Sequence, residues 1–259
     1  MATIIYPSPI FGPIHSRRLG VSLGVNLQPG DGKVCSFDCI YCECGFNADH
    51  RPHSPRPTRK QVAEALEETL TRMKADGGHL DVITFAGNGE PTGHPDFAAI
   101  IDDTIALRDR HFPEAKVSVL TNSTFAHRPD IHDALMKVDN NIMKLDTIDD
   151  DYIRIVDRPA SPSYRAKDII STIASFHGHA IVQTMFMKGN TGGRDVDNTT
   201  DRFVNPWLEA LRRIAPHEVM IYTIDRETPD HGLLKATHEE LNNIRDRVAA
   251  MGIECTASY

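Results

Sequence analysis

Four of the chain's five cysteines fall within ten residues. Cys35, Cys39 and Cys42 are spaced C-x3-C-x2-C, and Cys44 follows two residues later. Thiolates this close together could hold a structural zinc ion or three corners of an iron–sulfur cube. Zinc sites usually combine two cysteine arms that lie a dozen or more residues apart, so one short loop favours the iron–sulfur cluster. Three protein ligands would leave one iron open for a substrate or cofactor.

Polar residues also end several apolar, β-branched runs. The segments "GNGEP" (87–91), "TNST" (121–124), "KLD" (144–146) and "TIDR" (223–226) each follow or close such a run. Ligands gather at the carboxyl ends of parallel strands. These segments are therefore expected to converge with the cysteines on one rim.

Two of these runs contain polar residues within the strand pattern. Lys144 and Asp146 lie two residues apart, so their side chains share a strand face. A buried lysine and aspartate must bind a ligand or form an ion pair with each other. Gln183 is expected to face the interior, because apolar neighbours share the face of Thr184 and suit helix packing.

Strand and helix patterns alternate about six times, which predicts an α/β fold with a parallel sheet and right-handed crossovers. The predicted strands are 22–30, 80–87, 116–122, 141–147, 179–187 and 218–225. The predicted helices are 59–75, 94–110, 128–138, 163–176, 203–214 and 237–251, with Thr58 capping the first. Two polar segments, 47–60 and 188–202, are expected to be surface loops, unless one of them folds over the rim as a lid.

Composition and charge narrow the classes of function. The net charge is −8, so no global basic field gathers nucleic acid. The first residues lack the pattern of a signal peptide, and no apolar run reaches the length of a membrane span. We therefore expect a cytoplasmic protein, in which reduced thiols hold metal more often than they form disulfides.

The cysteine spacing, with Tyr41 just before the third cysteine, resembles the radical S-adenosylmethionine (radical SAM) superfamily. "GNGEP" is similar to that superfamily's glycine-rich motif after the second strand. Together with "GPIHSRRLGVSLGVN" (12–26), it resembles the branch related to tRNA wyosine-base synthases. The resemblance runs from about Gly12 to Met251. It implies one radical SAM domain over residues 1–259, folded as a partial six-stranded (β/α) barrel with parallel strands and outer helices, open at one side.

The resemblance also implies a specific chemistry. Cys35, Cys39 and Cys42 would bind three irons of a 4Fe–4S cluster, and S-adenosylmethionine would chelate the fourth. An external one-electron reductant, flavodoxin- or ferredoxin-like, would drive cleavage to methionine and a 5′-deoxyadenosyl radical. That radical would take a hydrogen atom from an unidentified substrate, which could be a small molecule, a peptide or a tRNA base. The acidic composition and the lack of a second cysteine cluster disfavour tRNA, although the basic segment 47–60 could hold phosphate.

Further residues are implied to bind the cofactor. They are Gly87, Asn88, Gly89, Glu90, Tyr41, Asn122, Ser123, Lys144, Asp146, Gln183 and Arg226. The segment 87–90 would receive the methionine amino group, Lys144 the carboxylate and Asp146 a ribose hydroxyl. A plain turn at 87–91 and a Lys144–Asp146 ion pair are the alternatives. Ser123 departs from the glycine that relatives commonly carry there, which puts a close backbone approach in doubt.

Some residues have no assigned role. Cys44 and Cys255 are interpreted as a loop thiol and a tail residue, or alternatively as a late hydrogen-atom donor or substrate-linked thiol. Tyr222 could stack on adenine or be a core tyrosine. The pair Arg17–Arg18 could bind substrate or cofactor anions.

One rival class of function stays open for the whole chain. It is a non-catalytic zinc or iron–sulfur protein that serves as an electron carrier or an adaptor. This class predicts no affinity for S-adenosylmethionine.

Overall fold

The structure of the protein, a computed structural model, describes residues 3–16 and 20–259. Over these residues the strands are, in chain order, β1 (Ile10–Ser16), β2 (Gly20–Val25), β3 (Val82–Phe85), β4 (Lys116–Thr121), β5 (Asn140–Lys144), β6 (Ala180–Met185), β7 (Met187–Thr191), β8 (Arg194–Asp195), β9 (Glu218–Tyr222), β10 (Leu233–Lys235) and β11 (Glu254–Ser258). The helices are α1 (Arg59–Ala75), α2 (Phe97–His111), α3 (Pro129–Leu135), α4 (Asp150–Val156), α5 (Ala166–Ala174), α6 (Asp201–Ile214) and α7 (His238–Ala249), with a short 3-10 turn at Pro91–Gly93.

The main sheet has the order β1-β2-β3-β4-β5-β6-β9-β11. β1 pairs antiparallel with β2, and every other neighbouring pair is parallel. The six strands predicted from the sequence, β2 to β6 and β9, therefore lie side by side. The sheet does not close, and the predicted open, parallel α/β barrel is confirmed.

The two edge strands of the main sheet, β1 and β11, were not predicted from the sequence. β1 contains Pro13 and exposes Ile14, which is typical of an edge strand but weakens its sequence pattern. β11 is short, polar and only partly buried, yet it pairs in register with β9. The sheet thus continues beyond Met251, and Cys255 is a strand residue rather than the tail residue expected.

The helices pack on the outer face of the sheet because their apolar stripes match its apolar residues. On α1, Val62, Leu66 and Leu70 are buried as the helical period predicts. Thr58 caps this helix in a reciprocal capping box with Gln61. The inner face of the sheet has a separate small cluster, consisting of Ile142, Ile181 and Met220 with Leu120 packed against it.

Part of the predicted loop 188–202 is a strand. β7 pairs antiparallel with β8 and β10 in a second, three-stranded sheet. The other predicted loop, 47–60, stays irregular up to the start of α1 and is held by Arg56, which donates to Gln28 Oε1 (2.9 Å) and to Gly93 O (3.1 Å). Within the described part of the chain, no helix has the length and apolarity needed to cross a membrane.

Trp207 offers a test of the sheet–helix core. It lies on α6, is 1% exposed, donates from Nε1 to Leu145 O (3.1 Å) and contacts Phe186 edge-on. We expect Trp207→Ala to lower the free energy of unfolding by about 3–5 kcal/mol, because it leaves a large cavity in the core. Urea unfolding followed by circular dichroism measures this. Leu234→Ala, at a 61% exposed position, is the control and should cost less than about 0.5 kcal/mol. A loss below 1 kcal/mol for Trp207→Ala would contradict this account of the core.

Candidate functional site

The cysteine loop, residues 33–47, is anchored on one side by the glycine-rich segment after β3. Val34 N donates to Asn88 O (2.9 Å), and Glu90 N donates to Val34 O (3.3 Å). Gly89 permits this contact: its φ is +141°, and a Cβ there would lie 1.9 Å from Val34 O. The motif therefore brings two stretches of backbone together, in addition to any role toward a ligand.

On its other side the cysteine loop caps a helix. Asp38 N donates to Asp157 O and Ile40 N to Val156 O, both at 2.9 Å. The last carbonyls of a helix lack partners within the helix, and the loop amides satisfy two of these at the end of α4. This seven-residue helix was not predicted, because "DDYIRIV" spans only two turns.

The three predicted cluster cysteines share one charged neighbour. Among the described residues, no three His, Cys, Asp or Glu side chains surround one point closely enough to hold a single metal ion. Instead Cys35, Cys39 and Cys42 all act electrostatically on Lys33, whose buried ammonium is bonded within the same loop to Gly45 O. Burial alone would lower the pKa of Lys33, but the thiols of Cys42, Cys35 and Cys39 and the carboxyl of Asp38 raise it. Three thiols on one short loop beside one cation fit the donor set of a 4Fe–4S cluster.

Lys144 and Asp146 form the ion pair that the sequence left open as an alternative. Lys144 Nζ lies 2.6 Å from Asp146 Oδ2 and 3.2 Å from Asp157 Oδ1. Tyr41 hydrogen-bonds both aspartates, and Lys144 sits 4.3 Å from the centre of its ring. Burial raises the pKa of Asp157, whereas the two carboxyls outweigh burial and raise the pKa of Lys144. Since Cys39 Sγ lies 3.6 Å from Asp157 Oδ1, this buried network touches the cysteine loop.

The side chain of Glu90 is committed to the protein. Its oxygens accept from Thr92 N (3.0 Å), the Thr92 hydroxyl, the Thr121 hydroxyl (2.7 Å) and Asn122 N (2.7 Å). Burial raises the pKa of Glu90, and these hydrogen bonds oppose the shift. Glu90 therefore fastens the end of β4 to the glycine-rich segment.

Asn122 and Ser123 follow β4 directly. The Asn122 amide donates to Ser36 Oγ (2.8 Å) and points to Cys35 Sγ (3.6 Å). Ser123 has φ +67° and is fully buried, and its hydroxyl has no hydrogen-bond partner. The left-handed backbone that a glycine would favour is thus present although the residue is serine.

Asn88 is a buried anchor. Its side chain accepts from Tyr6 N (2.8 Å) and donates to Tyr6 O (2.8 Å) and Pro29 O (2.9 Å). It holds the N-terminal segment against the glycine-rich segment. Its amide is therefore already engaged within the protein.

A cavity of about 320 Å³ lies between the cysteine loop and the inner face of the barrel. Cys42, Glu43 and Cys44 form one side, and Gly87 and Gln183 also line it. Its apolar part consists of Phe11, Ile14, Leu120, Ile142 and Met220. The structure thus places Gln183 toward the interior, as predicted, while Thr184 donates to Leu145 O (2.8 Å).

A second cavity, of about 220 Å³, adjoins the first at Cys42, Glu43 and Tyr222. Tyr41 and Arg226 also line it. Arg226 Nη1 donates to Glu43 Oε2 at 2.8 Å, so an ion pair lies where the two cavities meet. Predicted site residues from the cysteine loop, β6 and the segment after β9 are therefore brought together.

The two cysteines outside the predicted cluster motif, Cys44 and Cys255, lie in different parts of the protein. Cys44 is buried, hydrogen-bonds Cys42 and lies 3.5 Å from Gly87 O. This hydrogen bond lowers the pKa of Cys42 and raises that of Cys44. Cys255 pairs with Val219 near the start of β9 and packs against the main core, and burial raises its pKa to about 12. It does not line either cavity of the site, and Arg17–Arg18 lies outside the described residues.

Sequence reasoning missed four residues of the site. Lys33 precedes the first cysteine by two positions, so the sequence alone could have marked it. Glu43 could have been noticed between Cys42 and Cys44. Tyr6 and Asp157 gave no signal, because long-range contacts bring them to the site.

Comparison with known families decides the class of protein. A family model described as Radical SAM superfamily matches residues 31–203, about two thirds of the chain. The chain belongs to the radical SAM superfamily. Members use a 4Fe–4S cluster and S-adenosylmethionine, which are the cofactors predicted from the sequence. Membership also supports an enzyme, rather than the non-catalytic metal protein that was the rival.

Several curated proteins are similar to this chain. The UPF0026 protein of Methanocaldococcus jannaschii is 31% identical over 185 residues, which cover 68% of this chain and 53% of that protein. The GTPase Obg of Brachyspira hyodysenteriae is 25% identical over 91% of this chain and 33% of its own length. A UPF0026 protein of Helicobacter pylori is 28% identical over 84% of this chain and 66% of its own length. The chain thus spans from a third to just under two thirds of these relatives.

Solved radical SAM structures share the fold at low sequence identity. A radical SAM methyltransferase from Sphaerobacter thermophilus has a TM-score of 0.67 and 17% identity, over 92% of this chain and 66% of that one. SuiB from Streptococcus suis bound to S-adenosylmethionine has a TM-score of 0.64 and 14% identity, over 91% of this chain and 50% of that one. TYW1 with a lysine–pyruvate adduct bound has a TM-score of 0.60 and 14% identity, over 88% of this chain and 73% of that one. These similarities support the partial barrel.

Ser123 gives a test of strain at the site. A left-handed backbone costs an L-residue roughly 1–2 kcal/mol, while the greater freedom of glycine when unfolded costs about 0.5–1 kcal/mol. We expect Ser123→Gly to raise the free energy of unfolding by about 1 kcal/mol, because it also removes a buried hydroxyl without a partner. Urea unfolding of the protein without metal measures this. Ser123→Ala removes the hydroxyl and keeps the backbone strain. If Ser123→Gly is less stable than Ser123→Ala by about 0.5–1 kcal/mol, the difference is the freedom of glycine alone and Ser123 carries no strain.

Proposed function

We propose that Cys35, Cys39 and Cys42 hold a 4Fe–4S cluster in this chain, and that S-adenosylmethionine binds beside it in the adjoining cavities. The observation that carries the proposal is the position of Cys42, which borders both cavities on the rim of the barrel. The cysteine at the end of the predicted motif thus faces the space available for a cofactor and a substrate. The neighbour solved with S-adenosylmethionine bound supports this placement by fold alone.

When bound, this pair of groups supplies one-electron cleavage of S-adenosylmethionine and abstraction of a hydrogen atom from the substrate. The chain's own residues orient these groups and enclose them. Asn122 holds the Cys35 side of the loop through Ser36, and Lys144 places a cation on the other side, next to Cys39. Gln183 presents an amide to the larger cavity. The apolar side chains that line this cavity reduce the contact of a bound substrate with water, which would limit side reactions.

A small molecule or a peptide side chain is the proposed substrate, rather than a tRNA base. The larger cavity is about 320 Å³ and largely apolar, as small-ligand pockets are. The basic residues expected to hold phosphate are mostly engaged: Arg56 binds Gln28 and Gly93, Arg59 pairs with Asp103 (2.6 Å), and Lys60 lies 3.6 Å from Glu64. Radical SAM enzymes need an external reductant. We propose a flavodoxin- or ferredoxin-like carrier in a cytoplasmic setting.

Cofactor cleavage tests the proposal directly. The protein is reconstituted with iron and sulfide under anaerobic conditions, reduced with dithionite and mixed with S-adenosylmethionine. We expect 5′-deoxyadenosine by chromatography from the wild type. The variant Cys35→Ala/Cys39→Ala/Cys42→Ala should give none, because it lacks the ligands of the cluster.

Two controls separate the possible failures of this assay. Cys255→Ala should retain the wild-type yield, because Cys255 lies in the main core away from the cysteine loop. A fully assembled cluster that yields no 5′-deoxyadenosine, and whose paramagnetic resonance spectrum is unchanged by S-adenosylmethionine, would indicate an electron carrier.

The substrate class makes a separate prediction. Binding that neutralises several phosphates weakens steeply with salt. Because most cations of segment 47–60 are engaged within the protein, we expect only weak binding of bulk tRNA in filter binding at low salt. The variant Arg51→Ala should bind no less tightly than the wild type. Tight, strongly salt-dependent binding that Arg51→Ala weakens would favour a tRNA substrate.

A further inference from the structure

Lys33 places a positive charge inside the cysteine loop. Its side chain is 1% exposed, and its Nζ donates to Gly45 O at 2.6 Å. Lys33 also forms an ion pair with Asp38, with 3.5 Å between Nζ and Oδ1. The ammonium is thus held between the two ends of the loop that carries the three cysteines.

This charge acts on each of the three thiols. The electrostatic neighbours of Lys33 include Cys42, Cys35 and Cys39. Gly45, whose carbonyl accepts from Lys33 Nζ, donates its own N–H to Cys42 O (2.9 Å), so the ammonium lies at the Cys42 end of the loop.

The other charges near the cysteines are differently placed. Lys144 acts on Cys39, but it is already paired with Asp146 (2.6 Å) and Asp157 (3.2 Å). Glu90 is a buried negative neighbour of Cys35. Among the described residues, Lys33 forms its ion pair with Asp38, whose side chain is 30% exposed, so solvent screens this countercharge in part.

We propose that the Lys33 ammonium makes one-electron reduction of the cluster easier, an inference that rests on the proposed function. Reduction would add one electron from the external carrier, and the added negative charge would lie on a cluster held by the loop that encloses this cation. Net charge and hydrogen bonds to the cysteine sulfurs are among the factors that set the reduction potential of such clusters. The low dielectric of the buried loop strengthens the effect.

A purely structural role for Lys33 is the competing explanation, since its bond to Gly45 O closes the loop. The sign of the effect separates the two. Lys33→Met removes the cation and should make reduction harder. Asp38→Asn removes the opposing charge but keeps an oxygen that can accept from Asn47 N, and should make reduction easier. A loosened loop would not move the potential in opposite directions in the two variants.

The experiment is a redox titration of the reconstituted protein, followed by the paramagnetic resonance of the reduced cluster. Iron and sulfide content is measured for each sample. At the same applied potential, we expect the ratio of reduced to oxidised cluster to be at least tenfold lower in Lys33→Met, a shift of about 59 mV for one electron. Lys33→Arg should stay within about threefold of the wild type, because it keeps the charge. Lys137→Met, which removes an exposed lysine paired with Asp102, is the matched control and should not shift.

Each outcome decides the proposal. Opposite shifts in Lys33→Met and Asp38→Asn support it. Shifts in the same direction, or no shift in either, overturn it and leave Lys33 a structural role. If Lys33→Met assembles no cluster, Lys33→Gln takes its place, because it also removes the charge but keeps an amide that can donate to Gly45 O. If the wild type assembles no 4Fe–4S cluster, the proposed function itself fails, and this inference fails with it.

Discussion

The cysteine loop has no regular secondary structure, so its buried backbone groups need hydrogen-bond partners outside the loop. It finds them on two sides, at the glycine-rich segment after β3 and at the last carbonyls of α4. The position of the thiols therefore depends on two elements that carry no thiol themselves. Gly89 is essential to this arrangement, because a side chain there would collide with Val34 O. The glycine-rich motif and the cysteine motif work as one structural unit.

Buried charge around this unit is compensated pair by pair. Lys144 is held by two carboxylates, Glu90 by four donors, and Lys33 by one partly exposed carboxylate and a carbonyl. Breaking such a pair leaves an uncompensated buried charge, which is costly. Several residues that the sequence assigned to a cofactor thus also stabilise the protein, so their substitution would affect folding and chemistry together.

Much of the fold could be predicted from the sequence, because the six barrel strands are apolar runs between helices of clear period. β1, β11 and α4 could not, since an edge strand is half polar and a seven-residue helix has too few turns to show a period. At the site, the cysteines and Gln183 could be placed from spacing and parity. Lys144 and Asp146 could be placed on one face, but their third partner, Asp157, is brought in at the end of α4, the short helix that was not predicted. Tyr6 is tied to the glycine-rich segment by contacts with Asn88 across more than eighty positions, which no local pattern encodes.

The contacts of Tyr6 limit how many N-terminal residues can be removed from this protein. The Asn88 side chain hydrogen-bonds the backbone of Tyr6, and Tyr6 lines the larger cavity. Nearby, Ile4 N donates to Glu43 O (3.0 Å). The stretch recognised by family similarity begins only at residue 31. A shortened chain that started there would keep every cysteine of the motif and lose β1, β2 and one wall of the larger cavity. The limits of a recognisable motif are thus not the limits of the smallest working unit, which must include the residues that enclose the cavity.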